Sequence, residues 1–163
     1  MRTETKIAVA VFAAILIYYI AKTGRYFMNR EFKYFSWSEF DSPDYPGSGK
    51  KFMSRDFIEK LDRVRARAGF PFIINSGYRT GAHNAKVGGS PNSSHKKGLA
   101  VDISAPFDWQ KEAIAKAAIA EGITRIGWGR TFVHLDVDQD KTQNIVWGYG
   151  NGNPSFEELE NLA

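Results

Sequence analysis

The sequence predicts an α+β fold, a small and mainly antiparallel sheet flanked by helices and preceded by one N-terminal hydrophobic helix. Three observations predict it. Apolar residues recur at helical spacing between Ser54 and Gly69, and an Ala-rich helical stretch runs from Asp108 to Glu121. Short runs near 99–104 and 131–137 alternate at the strand period. The strands lack the regular crossover spacing of a parallel sheet. The chain has 163 residues, 43% of them hydrophobic, with twelve Phe, seven Tyr and four Trp, which argues against disorder. It has no cysteine, so disulfides and thiolate metal sites are excluded, and any transition metal must be held by His and carboxylates. The net charge of +4 suits a solvated surface or attraction to an anionic polymer or headgroup. No stripe of basic and aromatic residues marks nucleic acid as a partner.

In chain order, Ile7 to Ala21 form an unbroken apolar run behind Arg2 and Lys6. Fifteen helical residues reach about 22 Å, short of a hydrocarbon core of about 30 Å. Extension to Phe27, with Lys22 and Arg25 snorkelling, spans it. No small-residue cleavage site follows, so residues 1–30 are expected to be a membrane anchor or uncleaved signal segment with a basic flank. The basic residues after the run outnumber those before it, which by itself places the following domain inside the cell.

Residues 31–150 form the expected domain. The Pro-, Gly- and Ser-rich stretch 41–50 reads as a loop. A helix capped by Ser54 buries Phe57, Ile58, Leu61 and Val64 and stops at Gly69. Phe72 to Asn75 reads as a strand, and 76–98 as a turn-rich segment. The strand Leu99–Ser104 follows, then the helix Asp108–Glu121 stopped by Gly122, and two strands near Ile123–Ile126 and Thr131–Val137. Residues 151–163 form an acidic tail, expected to be loosely held.

There are three histidines, His83, His95 and His134. Strand alternation puts Val133, Leu135 and Val137 on one face and Phe132, His134 and Asp136 on the other. Asp102 lies opposite Leu99, Val101 and Ile103 in the same way. If the two strands are neighbours, Asp102 and His134 converge, and His95 can fold back over them from the turn before Gly98. Two imidazoles and one carboxylate suit Zn²⁺ with a fourth position for water. A surface polar pair is the plainer account of the spacing alone.

Three segments occur in order: Ser76-Gly77-Tyr78-Arg79-Thr80, the run from Ser94 and His95 through Gly98 and Ala100 to Asp102, and Phe132-Val133-His134-Leu135-Asp136. Together they resemble the M15 zinc peptidases, which are D-Ala-D-Ala carboxypeptidases and peptidoglycan endopeptidases. The likeness is closest to the small branch of phage lysis enzymes and bacterial wall proteins, and runs from about Lys33 to Trp147. It implies a DD-peptidase-like fold, Zn²⁺ as cofactor, His95, Asp102 and His134 as its ligands, and hydrolysis of D-amino-acid-containing bonds in peptidoglycan stem peptides. It also implies that Arg79 steadies the substrate's carbonyl or carboxylate. Ser94 is a further candidate for contact with substrate or a ligand. Such a substrate requires the domain to face the periplasm or cell wall, against the charge count above. The chain is expected to be a monomer.

The pattern departs from its relatives at the general base. Several carry Glu three residues before the last ligand, where this chain has Thr131, and others carry His where it has Phe132. Asp136 is the leading candidate for a catalytic base, with Asp138 and His83 behind it; an orienting role for Asp136 is the alternative. A zinc-containing wall-binding module without catalysis, or a structural membrane protein, are the rival functions.

Overall fold

In this computed structural model, Ala14, Ile15, Tyr18 and residues 31–149 and 153–161 are described. The chain divides into two compact units, Met1–Lys33 and Tyr34–Ala163. The expected N-terminal anchor lies outside the described residues, apart from three exposed helical positions. Among the described residues no helix is long and apolar enough to cross a membrane.

The second unit is α+β. A short 3₁₀ turn at Trp37–Phe40 leads to α1 (Ser48–Phe52) and α2 (Arg55–Ala68). Then come β1 (Ile74–Ser76), α3 (Gly81–Lys86), a 3₁₀ turn at Ser94–Lys97, and β2 (Ala100–Ser104). The rest is α4 (Asp108–Ala120), β3 (Arg125–Trp128), β4 (Phe132–Asp136), β5 (Ile145–Gly148) and α5 (Phe156–Glu160). The sheet order is β1-β2-β4-β3-β5, antiparallel throughout except for the parallel pair β3 and β5.

Local chemistry explains α2. Ser54 Oγ accepts from the Phe57 N–H at 3.3 Å, and Gly69 takes the left-handed C-terminal position at φ 80°. Phe57, Ile58, Leu61 and Val64 form its buried stripe. Ile114, Ala115 and Ala118 of α4 are fully buried and join this stripe, Val101 and Ile103 of β2, Ile126 of β3, and Val133 and Leu135 of β4 in one core. The alanines leave α4 few long side chains on its packed face.

Several expectations need correction. The segment 41–50 contains the start of α1, and the turn-rich 76–98 contains α3 and the second 3₁₀ turn. The strand expected at 72–75 lies at 74–76, and that expected at 123–126 lies at 125–128. The acidic tail is not loose along its described part. Ser155 caps α5 by accepting from the Glu158 N–H at 3.1 Å, and Leu159 is buried where α5 packs against α4.

Candidate metal centre

The sheet register builds the centre. In the β2–β4 ladder Asp102 lies directly across from His134. A same-face cross-strand pair has its Cβ atoms about 5 Å apart, so both side chains leave one face together. His95 comes from the 3₁₀ turn before β2. Gly98 makes that return possible: its φ is +69°, and a Cβ there would stand 1.9 Å from the Phe52 carbonyl oxygen. The Arg79 N–H to His95 carbonyl bond, 3.2 Å, ties this turn to the segment after β1.

Three ligand atoms meet. Asp102 Oδ1 lies 2.8 Å from His134 Nδ1 and 3.3 Å from His95 Nε2, and the two ring nitrogens are 3.2 Å apart. Each imidazole is held from its other nitrogen. His95 Nδ1 sits 2.6 Å from the Gly77 carbonyl, which can only accept, so the proton is on Nδ1 and the Nε2 lone pair faces inward. His134 turns Nδ1 to Asp102 Oδ1 at 2.8 Å, with Nε2 on the far side 3.6 Å from Asp136 Oδ2. Three potential ligand atoms facing one point could hold a cation among them. Their separations are close to the roughly 3.3 Å edge of a tetrahedron with metal–ligand bonds of about 2.0–2.1 Å. The residues fit a divalent metal.

Electrostatics agree for Asp102 and His95, while at His134 a cation would have to displace a proton. Burial alone raises the Asp102 pKa, but the His134 and His95 imidazoles beside it outweigh that and hold the carboxyl far below its usual range. Burial lowers the His95 pKa, with His134 and Arg79 adding to that, so its neutral form is favoured. Burial acts in the same direction on His134, but Asp102 and Asp136 outweigh it and its pKa is raised.

The remaining expected residues are placed as follows. Arg79 Nη2 donates to Asp102 Oδ2, and its Nε donates to Ser76 Oγ at 2.7 Å. Asp136 is buried behind His134, accepting from Arg125 Nε at 3.0 Å, the Asp138 N–H at 2.8 Å and Ser94 Oγ at 2.9 Å. Ser94 is itself buried and accepts from Lys141 Nζ at 2.7 Å. Asp138 pairs with Lys97 at 2.9 Å. His83 lies on α3 near Asp44 and does not line the cleft. Thr131 is at a turn, where its carbonyl accepts from the Ala105 N–H at 2.8 Å.

A cleft of about 460 Å³ opens over the three ligand atoms. Phe132, Trp147 and Tyr149 line it, the Phe132 and Tyr149 rings 5.2 Å apart, and so do Val87, Gly88, Gly89 and Ser90. Sequence reasoning missed Arg125, Lys141, Trp147 and Tyr149. The first was within reach of strand alternation: Arg125 and Gly127 pair across from Asp136 and His134 in the β3–β4 register. A buried carboxylate demands a cation nearby, and Arg125 is the cation on the adjacent strand. The other three belong to a loop and a strand that the sequence reading left unassigned.

Fold and cluster describe a small α+β protein with a His–Asp–His group that could hold a cation and an open cleft beside it. The family comparison is narrower. The family model described as Peptidase M15 matches residues 38–136, and the chain belongs to that family. No curated protein matches the chain. Membership supports a hydrolase of the metallopeptidase type, and the His95, Asp102 and His134 group is one that could bind a metal.

Proposed function

We propose that this chain is a zinc metallopeptidase that hydrolyses D-amino-acid-containing peptide bonds of peptidoglycan stem peptides. The observation that carries the reading is the convergence of His95 Nε2, His134 Nδ1 and Asp102 Oδ1 beside an open cleft in a member of a peptidase family. A zinc ion bound there would supply a water ionisable near neutral pH and a Lewis acid for the scissile carbonyl. The chain's own residues do the rest. His95 presents a neutral Nε2, its tautomer fixed by Gly77 O, and His134 turns Nδ1 to the same point. Arg79 holds the second oxygen of Asp102 and so sets the angle at which the first is offered. The aromatic wall keeps bulk water from one side of the bound peptide.

Asp136 best fits the orienting role. Both its oxygens are engaged, and it lies at the outer nitrogen of His134 rather than beside the inward-facing ligand atoms. Thr131 and the engaged Asp136 also favour a second reading, a zinc-containing wall-binding module without turnover.

One experiment separates the two. The full chain, in detergent, is incubated with purified muropeptides, with zinc and with chelator, and the products are read by mass spectrometry. Release of D-Ala or cleavage of the stem with zinc alone is the expected result. Stoichiometric zinc without cleavage selects the binding module. Replacing His95 or His134 with Ala abolishes zinc uptake and cleavage together; variants that keep both overturn the assignment. We further propose that residues 1–30 tether the domain on the wall side of the membrane. The chain then stays with the membrane pellet after an alkaline carbonate wash, and release into the supernatant overturns the tether.

A further inference from the structure

Hydrolysis of a peptide places a negative charge on the former carbonyl oxygen, and a donor aimed at that charge is worth most when it has no other partner. The cations near the ligand atoms each already hold a side-chain partner. Arg79 donates to Asp102 and Ser76, Arg125 to Asp136 and the Thr142 carbonyl, and Lys141 to Ser94. Tyr149 differs from them. It lines the same cleft, and its O–H has no protein acceptor among the described residues.

Its position is built. The Tyr149 N–H donates to the Trp128 carbonyl at 3.0 Å, continuing the pairing of β3 and β5 beyond Gly148. The ring lies 5.2 Å from the Phe132 ring. Beneath it is Gly127, where a Cβ would stand 2.8 Å from His134 Cβ and 2.9 Å from Tyr149 Cε2. The absent side chain of Gly127 therefore lets the phenol lie against the strand position that faces His134. The phenol is near enough to feel the charges of Asp102, Arg79 and Asp136. Burial raises its pKa, against a hydrogen bond from Trp147, so it is a proton donor at neutral pH.

We propose that Tyr149 is a catalytic residue whose phenolic O–H hydrogen-bonds the oxyanion formed as water adds to the scissile carbonyl. The inference rests on the peptidase reading. Water's oxygen bonds to the carbonyl carbon, the carbonyl π electrons move onto oxygen, and Tyr149 shares but does not lose its proton. Collapse breaks the C–N bond, and the leaving amine departs with the proton that the water gives up.

The test uses Tyr149→Phe in the full chain, which keeps the ring against Phe132 and removes the donor alone. Zinc content and melting temperature match those of the unaltered chain. Turnover with muropeptides falls by about 100-fold in kcat while KM stays within about twofold. A phosphinate analogue of the tetrahedral species loses affinity in proportion to kcat/KM, whereas an uncleavable substrate analogue binds as before. Unchanged kcat, or a loss confined to KM, overturns the role of Tyr149 and leaves the peptidase reading standing. No cleavage by the unaltered chain overturns both.

Discussion

Asp136 accepts three hydrogen bonds from protein donors and lies 3.6 Å from His134 Nε2, with almost no exposure to solvent. Burial raises its pKa, but His134, the Asp138 N–H and Arg125 together hold the carboxyl far below the usual range. A proton acceptor in hydrolysis needs a basic, accessible lone pair, whereas a ligand-orienting carboxylate needs the opposite. Asp136→Asn should weaken zinc binding by about 10–100-fold, with excess zinc restoring turnover. Titration with a chromophoric chelator alongside the cleavage assay checks this. Full zinc occupancy with turnover that excess metal cannot rescue would return the base role to Asp136. Ser94 sits one step further out, bonded to Asp136 and Lys141, and though buried it lines the cleft where substrate contact was expected.

Gly127 on β3 lies across from His134 on β4, and the crowding at its missing Cβ joins strand packing to the metal site. Gly127→Ala should destabilise the fold by about 1–3 kcal/mol through overpacking and lower zinc affinity as His134 is pushed aside. Thermal melts with and without zinc check both effects; a variant matching the parent in each would show that the strands yield freely at this point. At the other end of the unit, Leu159→Ala should cost about 2–5 kcal/mol, since α5 is seated by that side chain. Denaturant unfolding measures it, and an unchanged midpoint would mean that the tail does not dock. These elements also mark how far the sequence was legible. The stripe Phe57, Ile58, Leu61, Val64 and the alternations around Asp102 and His134 are periodic, so α2, β2 and β4 could be read and their polar faces brought together. The turn carrying His95 follows a non-periodic segment, and its inward fold depends on Gly98 meeting the Phe52 backbone, a contact distant in sequence. β5 has only Ile145, Val146 and Trp147 between Asn144 and Gly148, too short for a period, and it is a strand because β3 offers it a parallel edge. In α5 the acidic composition hid a capping box and a single buried leucine.

For the whole molecule, charge balance around the cleft would couple stability to the proposed metal. Asp102 is paired with Arg79, Asp136 with Arg125, and Asp138 and Asp140 with Lys97, with Lys141 3.8 Å from Asp138. A divalent cation therefore adds charge to a site whose carboxylates already have partners, and it must displace any proton on the imidazoles. A ligand at about 1,000 times its Kd stabilises the native state by about 4 kcal/mol, a large share of the roughly 5–15 kcal/mol that holds a domain of this size. The sign with pH follows from the shifts. His134 has a raised pKa, so as pH falls through that value it gains a proton that competes with the cation, and the stabilisation by zinc shrinks. Asp102 and Asp136 have depressed pKa values, so their own contribution is complete above the ordinary aspartate value of 3.8 and is lost only as pH falls through the depressed ones. Melting curves over a pH series with zinc and with chelator should diverge at high pH and converge as pH falls through the raised His134 value, where protonated His134 adds stability to the chelated protein. A zinc-dependent shift of constant size across that transition would mean that no proton on His134 competes with the metal.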